Sequence, residues 1–397
     1  MTPASALGLL AVLAAAAPTG PSKGVTSGSN PPAGREISVL PQFAAANTNL
    51  AVGAAAAVKN RPPAAGRRQG WIRVAADGRG FVDTSCGAQF VPRGFNYDRD
   101  HRMRLLEDYW ETEWATVVED FGEMKALGAT VVRVHLQLAR FMTAPDRANE
   151  RALARLRQLL ALAATTGVRL DITGLGCYRK ADVPAWLEAL GESERWRVQA
   201  NFWRAIARTC ADSPAVFCYN LINEPFVPAQ ARKAGDWLAG DLAGFSYVQA
   251  LVLDPAGRAP HDIVAQWTGQ MVATIRREDP QHLVTLGFLP NSGARFVQAA
   301  AQHLDFVSVH IYPRSGQLPE AGQTLRGFQV GKPLVVEEIF PLHCKPEELV
   351  GFMKDARAHV AGWISFYWGQ TPEELKDART VGEAITREWL QLLRGGW

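Results

Sequence analysis

Eight short, β-prone and largely apolar runs recur between Phe90 and Phe366 of this 397-residue chain, with helical patterns between them. The runs are Phe90–Asn96, Thr130–Leu136, Val168–Thr173, Val216–Glu224, His282–Leu286, Phe306–Tyr312, Pro333–Glu338 and Trp363–Phe366. Amphipathic segments at Trp114–Leu127, Glu150–Thr166, Glu192–Cys210, Ile263–Glu278 and Pro346–His359 separate them. Gly128 and Gly167 stand just past two of these segments, where a left-handed residue ends a helix. Parallel strands need a crossover, so strand–helix alternation implies an α/β fold with helices covering a parallel sheet. Eight units fit a closed (β/α)8 barrel, the TIM barrel, better than an open sheet. A doubly wound nucleotide fold would need a Gly-rich phosphate turn after its first strand, and Gly94-Phe95-Asn96-Tyr97 is not one.

Barrel enzymes carry their catalytic groups at the C-terminal ends of strands. The fourth run ends Leu221-Ile222-Asn223-Glu224-Pro225 and the seventh ends Val335-Val336-Glu337-Glu338. A carboxylate closing an apolar strand is costly unless paired or solvated at the mouth. Strands four and seven face each other in a ring of eight, so Glu224 and Glu338 are expected to meet over one cavity. Two opposed carboxylates about 5–5.5 Å apart are what retaining glycoside hydrolysis requires. Glu224 would then start protonated and act as acid/base, while Glu338 stays ionised and attacks. Two carboxylates and a water complete that reaction, so neither cofactor nor metal is expected. The pleat sends consecutive residues to opposite faces, which puts Glu337 against the helical layer.

With these residues in place, the chain from Trp71 to Trp397 resembles glycoside hydrolase family 5, the cellulase and mannanase family of clan A. Asn223-Glu224-Pro225, Glu338 five residues after Pro333, and the Phe90–Tyr97 strand carry the resemblance. It implies that Arg133 hydrogen-bonds the nucleophile, and that His310 and Tyr312 are the family's histidine and tyrosine on strand six. It further implies that Asn223 binds a sugar 2-hydroxyl and that Trp368 is the sugar-platform tryptophan. Asn96 on the first strand and His135, two residues past Arg133, complete the expected substrate-binding set. His135 is either a hydrogen-bonded barrel histidine or a substrate contact. The partner implied is a β-linked oligo- or polysaccharide in an open cleft, bound by a monomer. Two departures stand out: strand three reads Asp171-Ile172-Thr173-Gly174 where the family has a histidine, and Ile339-Phe340-Pro341 replaces its usual aromatic and glycine.

Phe226 to Pro260 is a long excursion holding Trp237, Phe245 and Tyr247, expected to be a lid or subsite wall. Residues 1–18 are Ala- and Leu-rich and resemble a signal peptide lacking a positive n-region, the first basic residue being Lys23. Export to the exterior or periplasm is the resulting expectation, with a cytoplasmic location left open. Residues 19–69 are an Ala/Pro/Gly-rich linker and residues 70–397 the catalytic domain. A net charge of +3 is too small to suggest nucleic acid, and the leading apolar stretch is too short to span a bilayer. Five cysteines show no metal-ligand spacing. Twelve tryptophans against seven tyrosines suit sugar stacking, or the packing of a large core. Three other readings compete: a metal-dependent barrel using His135 and His310, an inactive carbohydrate-binding barrel, and a transglycosylase using the same glutamates.

Overall fold

The structure is a computed structural model that describes residues 69–242, 244–366 and 368–396. The signal peptide expected over 1–18, and the linker over 19–69 apart from Gln69, lie outside the described residues. All eight runs form strands: β1 (Arg93–Tyr97), β2 (Val131–Gln137), β3 (Arg169–Gly176), β4 (Val216–Asn223), β5 (Leu283–Phe288), β6 (Val307–His310), β7 (Leu334–Ile339) and β8 (Gly362–Ser365). They close into one parallel barrel in chain order, β4 pairing with β5 and β8 with β1.

Among the described residues, eight longer helices cover it: α1 (Trp114–Ala126), α2 (Glu150–Thr166), α3 (Glu192–Cys210), α4 (Pro260–Glu278), α5 (Ala294–Ala301), α6 (Leu318–Gly327), α7 (Pro346–Asp355) and α8 (Val381–Arg394). Local chemistry sets their ends. Asn149 caps α2 by accepting from the amides of Arg151 and Ala152, and Gly167 ends it at φ 76°. The expected tryptophan surplus goes largely inward, with Trp203, Trp267, Trp368 and Trp389 among the largest fully buried side chains.

The N-terminal end of the barrel is plugged. A small antiparallel sheet of Ile72–Val74, Phe81–Asp83 and Gln89–Phe90 lies across it. Its Phe81 is fully buried, edge-on to Phe217 and Phe306 with ring centroids 5.2 Å away in each case. Burying such a ring contributes about 1.5–3 kcal/mol.

At the opposite end, the Phe226–Pro260 excursion is a docked hairpin of Leu238–Leu242 and Phe245–Ala250. It continues into Pro225–Phe226, which pairs with it directly after β4.

Two of the register shifts between barrel strands re-aim residues of the interior. On β7, Val309 of β6 faces Val336 while the next residue, His310, faces Glu338. On β4, Asn220 faces Thr285 of β5 and Asn223 faces Gly287. In each case one strand carries an extra residue, a bulge that re-aims side chains.

Candidate active site

The bulge in β7 turns both glutamates inward. Glu338 accepts from Arg133 Nη1 at 2.7 Å and from the Tyr312 hydroxyl at 2.7 Å. Glu337, expected against the helical layer, instead lies fully buried inside the barrel, where its Oε2 accepts from Asn220 Nδ2 at 2.7 Å. That expectation is corrected: the pleat alternates faces only where the ladder is regular, and here an extra residue breaks it. The β4 bulge does the same for Asn220 and Asn223, which are three apart yet both reach the interior.

Arg133, on β2 and fully buried, ties the floor of the site together. Besides Glu338 it donates to Asn96 Oδ1 at 2.8 Å, Asn223 Oδ1 at 2.8 Å and Thr173 Oγ1 at 2.9 Å. Thr173 stands where a histidine was missing from strand three, and it serves the arginine. Glu224 comes just after β4 in a left-handed conformation at φ 47°, uncommon for a residue with a side chain and typical of functional positions. Its amide donates to Gly287 O and its Oε1 meets His310 Nδ1 at 2.8 Å. Glycine is required at 287, since a Cβ there would sit 2.9 Å from His310 Nε2. One oxygen each of Glu224 and Glu338 and a ring nitrogen of His310 lie within 4.8 Å of one another.

Burial alone would push the Glu338 carboxyl up. His310, Arg133 and the Tyr312 hydroxyl outweigh it and hold the group below its ordinary range. His135 is driven well below its ordinary value by burial and by the Arg133 charge, so its ring is neutral. It lies between the Tyr178 hydroxyl at 2.5 Å and Asn96 Oδ1 at 3.1 Å. Both ring nitrogens are therefore used within the barrel wall. That makes His135 the hydrogen-bonded barrel histidine of the two readings, and leaves it no nitrogen to share a metal with His310.

Trp368 requires a second correction. It is only 1% exposed, its indole N–H donates to Asp120 of α1 at 3.0 Å, and its ring meets Phe95 edge-on. It packs between barrel and helix layer and offers no face to a sugar. Phe366, two residues earlier, packs against Tyr312 with centroids 6.1 Å apart. Asn96, Arg133, Asn223, Glu224, His310, Tyr312 and Glu338 are brought together, then, while Trp368 is not.

Sequence reasoning missed a polar layer beneath the site. Asp171 of β3, Cys218 of β4 and Glu337 of β7 are fully buried and place one ligand-type atom each within 4.8 Å of one another. Arg133 is the neighbouring cation, with Nε 3.9 Å from Glu337. The Asp171 carboxyl interacts with the side chains of Glu337, Cys218 and Thr173. Burial, then the Asp171 charge, pushes Glu337 well above its ordinary value of 4.5, and burial likewise raises Asp171. A group raised on folding favours the folded state below its unfolded value and loses that contribution as pH rises toward its folded value. Glu337→Gln keeps the acceptor for Asn220 and removes the titration. Its unfolding free energy, read by chemical denaturation, is therefore expected to gain on that of wild type progressively as pH rises from about 4.5 toward neutrality, by up to about 1.4 kcal/mol per pH unit. A gap that stays constant across that range would show that Glu337 ionises in the barrel as freely as in the unfolded chain.

The profile described as Cellulase (glycosyl hydrolase family 5) matches residues 90–324, more than half of the chain. The chain belongs to glycosyl hydrolase family 5. The match spans β1 to β6 and stops short of β7, so the placement of Glu338 in this family 5 barrel rests on the structure. No curated protein sequence matches the chain. Among solved structures, an exo-β-1,4-mannosidase from Opitutaceae bacterium strain TAV5 is similar at TM-score 0.60 and 16% identity, covering 81% of this chain and 61% of that one. This family 5 chain thus spans less than two thirds of that mannosidase. A β-1,4-mannanase from the sea hare Aplysia kurodai is similar at TM-score 0.55 and 14% identity, covering 81% and 96%. A GH5_18 variant from Streptomyces cattleya, in complex with Manb1-4GlcNAc, is similar at TM-score 0.55 and 16% identity, covering 71% of each chain. Among the described residues, no helix is long and apolar enough to cross a membrane.

Proposed function

We propose that this family 5 barrel is a retaining glycoside hydrolase that cleaves β-linked glycans by double displacement. The observation that carries the reading is the approach of Glu224 and Glu338 to within 4.8 Å at their nearest oxygens. Retaining enzymes keep their carboxyl groups about 5–5.5 Å apart, whereas inverting ones leave about 6.5–9.5 Å for a water. Glu338 attacks the anomeric carbon while Glu224 gives its proton to the leaving oxygen. Water then enters, Glu224 takes a proton from it, and the bond to Glu338 breaks. Arg133 and Tyr312 keep the nucleophile ionised and aimed, and His310 orients Glu224. The β-1,4-mannosidase and mannanase among similar folds make β-mannosides the first substrates to try, beside β-glucosides. Export and a monomeric state are part of the proposal, the first from the Ala-rich leader.

The test is proton NMR of the full-length protein acting on aryl β-mannoside, β-glucoside and β-cellobioside. The β-anomer of the released sugar is expected first, with the α-anomer growing in by mutarotation. An α-anomer appearing first would overturn the retaining assignment. Transfer products at high substrate concentration would favour the transglycosylase, and binding without turnover the inactive barrel.

A further inference from the structure

Three segments after different strands meet over one half of the mouth. Leu105 and Met103 come from the segment after β1, Tyr178 from that after β3, and Phe245 and Tyr247 from the hairpin after β4; these form one apolar cluster. Hydrogen bonds fix the cluster in place. The Ser246 amide donates to Tyr178 O at 2.6 Å, Gln249 Nε2 to Leu175 O at 2.9 Å, and Asn223 Nδ2 to Tyr247 O at 3.2 Å. Arg99, just past β1, reaches the Tyr247 hydroxyl, and its guanidinium lies 5.4 Å from the Tyr247 ring centroid. Beneath this cluster the side chains on the β1, β2 and β3 side are cut off from solvent: Arg99, His135 and Tyr178 are each 1% exposed. On the other side the site stays open. Glu224 keeps 14% of its side chain exposed against 7% for Glu338, and Tyr312 is only partly buried.

This asymmetry fixes which part of a substrate goes where, given the proposed reading of Glu224 and Glu338. The leaving group departs past the acid/base, so it occupies the open side beside Glu224. The sugar that becomes attached to Glu338 must fit under the closed side, where no chain can continue. We infer that the site is a blind pocket for one terminal sugar, and that the enzyme removes β-linked residues singly from the non-reducing end of a chain. The bond broken joins C1 of that sugar to the leaving oxygen; Glu224 supplies the proton to that oxygen, and water supplies hydroxyl to C1 and returns the proton to Glu224. This reading replaces the open cleft expected from sequence.

Asp98 provides a second, independent observation. It comes directly after β1, is fully buried, and binds Arg99 through Oδ2 at 3.0 Å. Among the described residues its Oδ1 has no hydrogen-bond partner. It stands at the C-terminal end of β1, beside the Arg99 that reaches Tyr247. A hydroxyl of the terminal sugar is the donor this oxygen lacks.

The experiment is a product ladder from β-1,4-mannopentaose and cellopentaose tagged at the reducing end, with aryl β-glycosides run alongside. The tagged chain is expected to shorten by one sugar at a time, with untagged monosaccharide as the only other product. Untagged di- and trisaccharides from the first time points would overturn the pocket while leaving the hydrolase standing. No turnover of any glycoside, aryl ones included, would overturn both. Asp98→Asn is expected to lower kcat/KM for the aryl glycoside of the accepted sugar by about tenfold or more, as loss of a partner for a bound hydroxyl does. A Phe245→Ala/Tyr247→Ala double variant is expected to add internal cleavage products; an unchanged ladder in that variant together with an unchanged kcat/KM in Asp98→Asn would overturn the inference.

Discussion

Glu338→Ala is expected to cut kcat on an activated aryl glycoside by about 10⁴-fold or more, the scale on which removal of a nucleophile usually acts. The fold should survive, because the carboxylate keeps slight solvent contact and the truncation leaves Arg133 bound to Asn96, Asn223 and Thr173. Azide added to this variant can occupy the emptied space and attack C1 directly. The product would then be a glycosyl azide of inverted configuration, and its appearance with recovered turnover identifies the missing group as the nucleophile. Glu337→Ala separates the two neighbours. Glu337 touches Asn220 beneath the site and is fully buried, so its loss weakens the enzyme without any azide rescue. Rescue in Glu337→Ala and none in Glu338→Ala would reverse the assignment.

Arg133→Met carries the largest expected effect on stability. The guanidinium is the cation shared by Glu338 and the Asp171–Glu337 pair, all inside the barrel. Removing one partner of a buried charge cluster typically costs about 3–5 kcal/mol, because the remaining charges stay uncompensated. Chemical denaturation would read that loss directly. Activity should change in a characteristic direction as well. Arg133 is one of three groups that hold Glu338 below its ordinary range against the opposing effect of burial. Without it Glu338 is protonated at higher pH, so the acid limb of the kcat/KM profile moves upward. An acid limb unmoved in a folded variant would mean that His310 and Tyr312 suffice to keep Glu338 ionised.

Strand and helix positions were legible because periodicity is a local property. Val216–Asn223 and Leu334–Ile339 are runs of β-prone residues, and α2 and α3 begin and end on the residues their amphipathic patterns mark. Residues gathered around the barrel axis were legible for a related reason: a polar side chain at the end of an apolar strand has to be explained. Elsewhere the sequence was silent because the deciding fact lay in another strand. A bulge is a property of a pair, so nothing within Val336-Glu337-Glu338 announces that both glutamates turn inward. Trp368 looks like a platform until Asp120 of α1 is seen to hold its indole N–H. The buried Asp171–Cys218–Glu337 layer combines residues from three strands, each unremarked alone. One signal was available and unused: Asp98-Arg99 comes at once after the first strand, and a charged pair there has to be buried or catalytic.

The plug beneath the barrel gives the molecule a direction. Gln69 donates to Val168 O at 3.1 Å and Gly70 O accepts from Arg169 at 2.8 Å, so the described chain enters beside the starting end of β3. Glu224, just past β4, and Glu338, one residue before the end of β7, lie at the far end. A tether attached at Gln69 would therefore pull on the sealed face and leave the catalytic face turned outward. Anchoring the enzyme to a bead or a fibre through that residue should leave its rate on a soluble glycoside the same as in free solution.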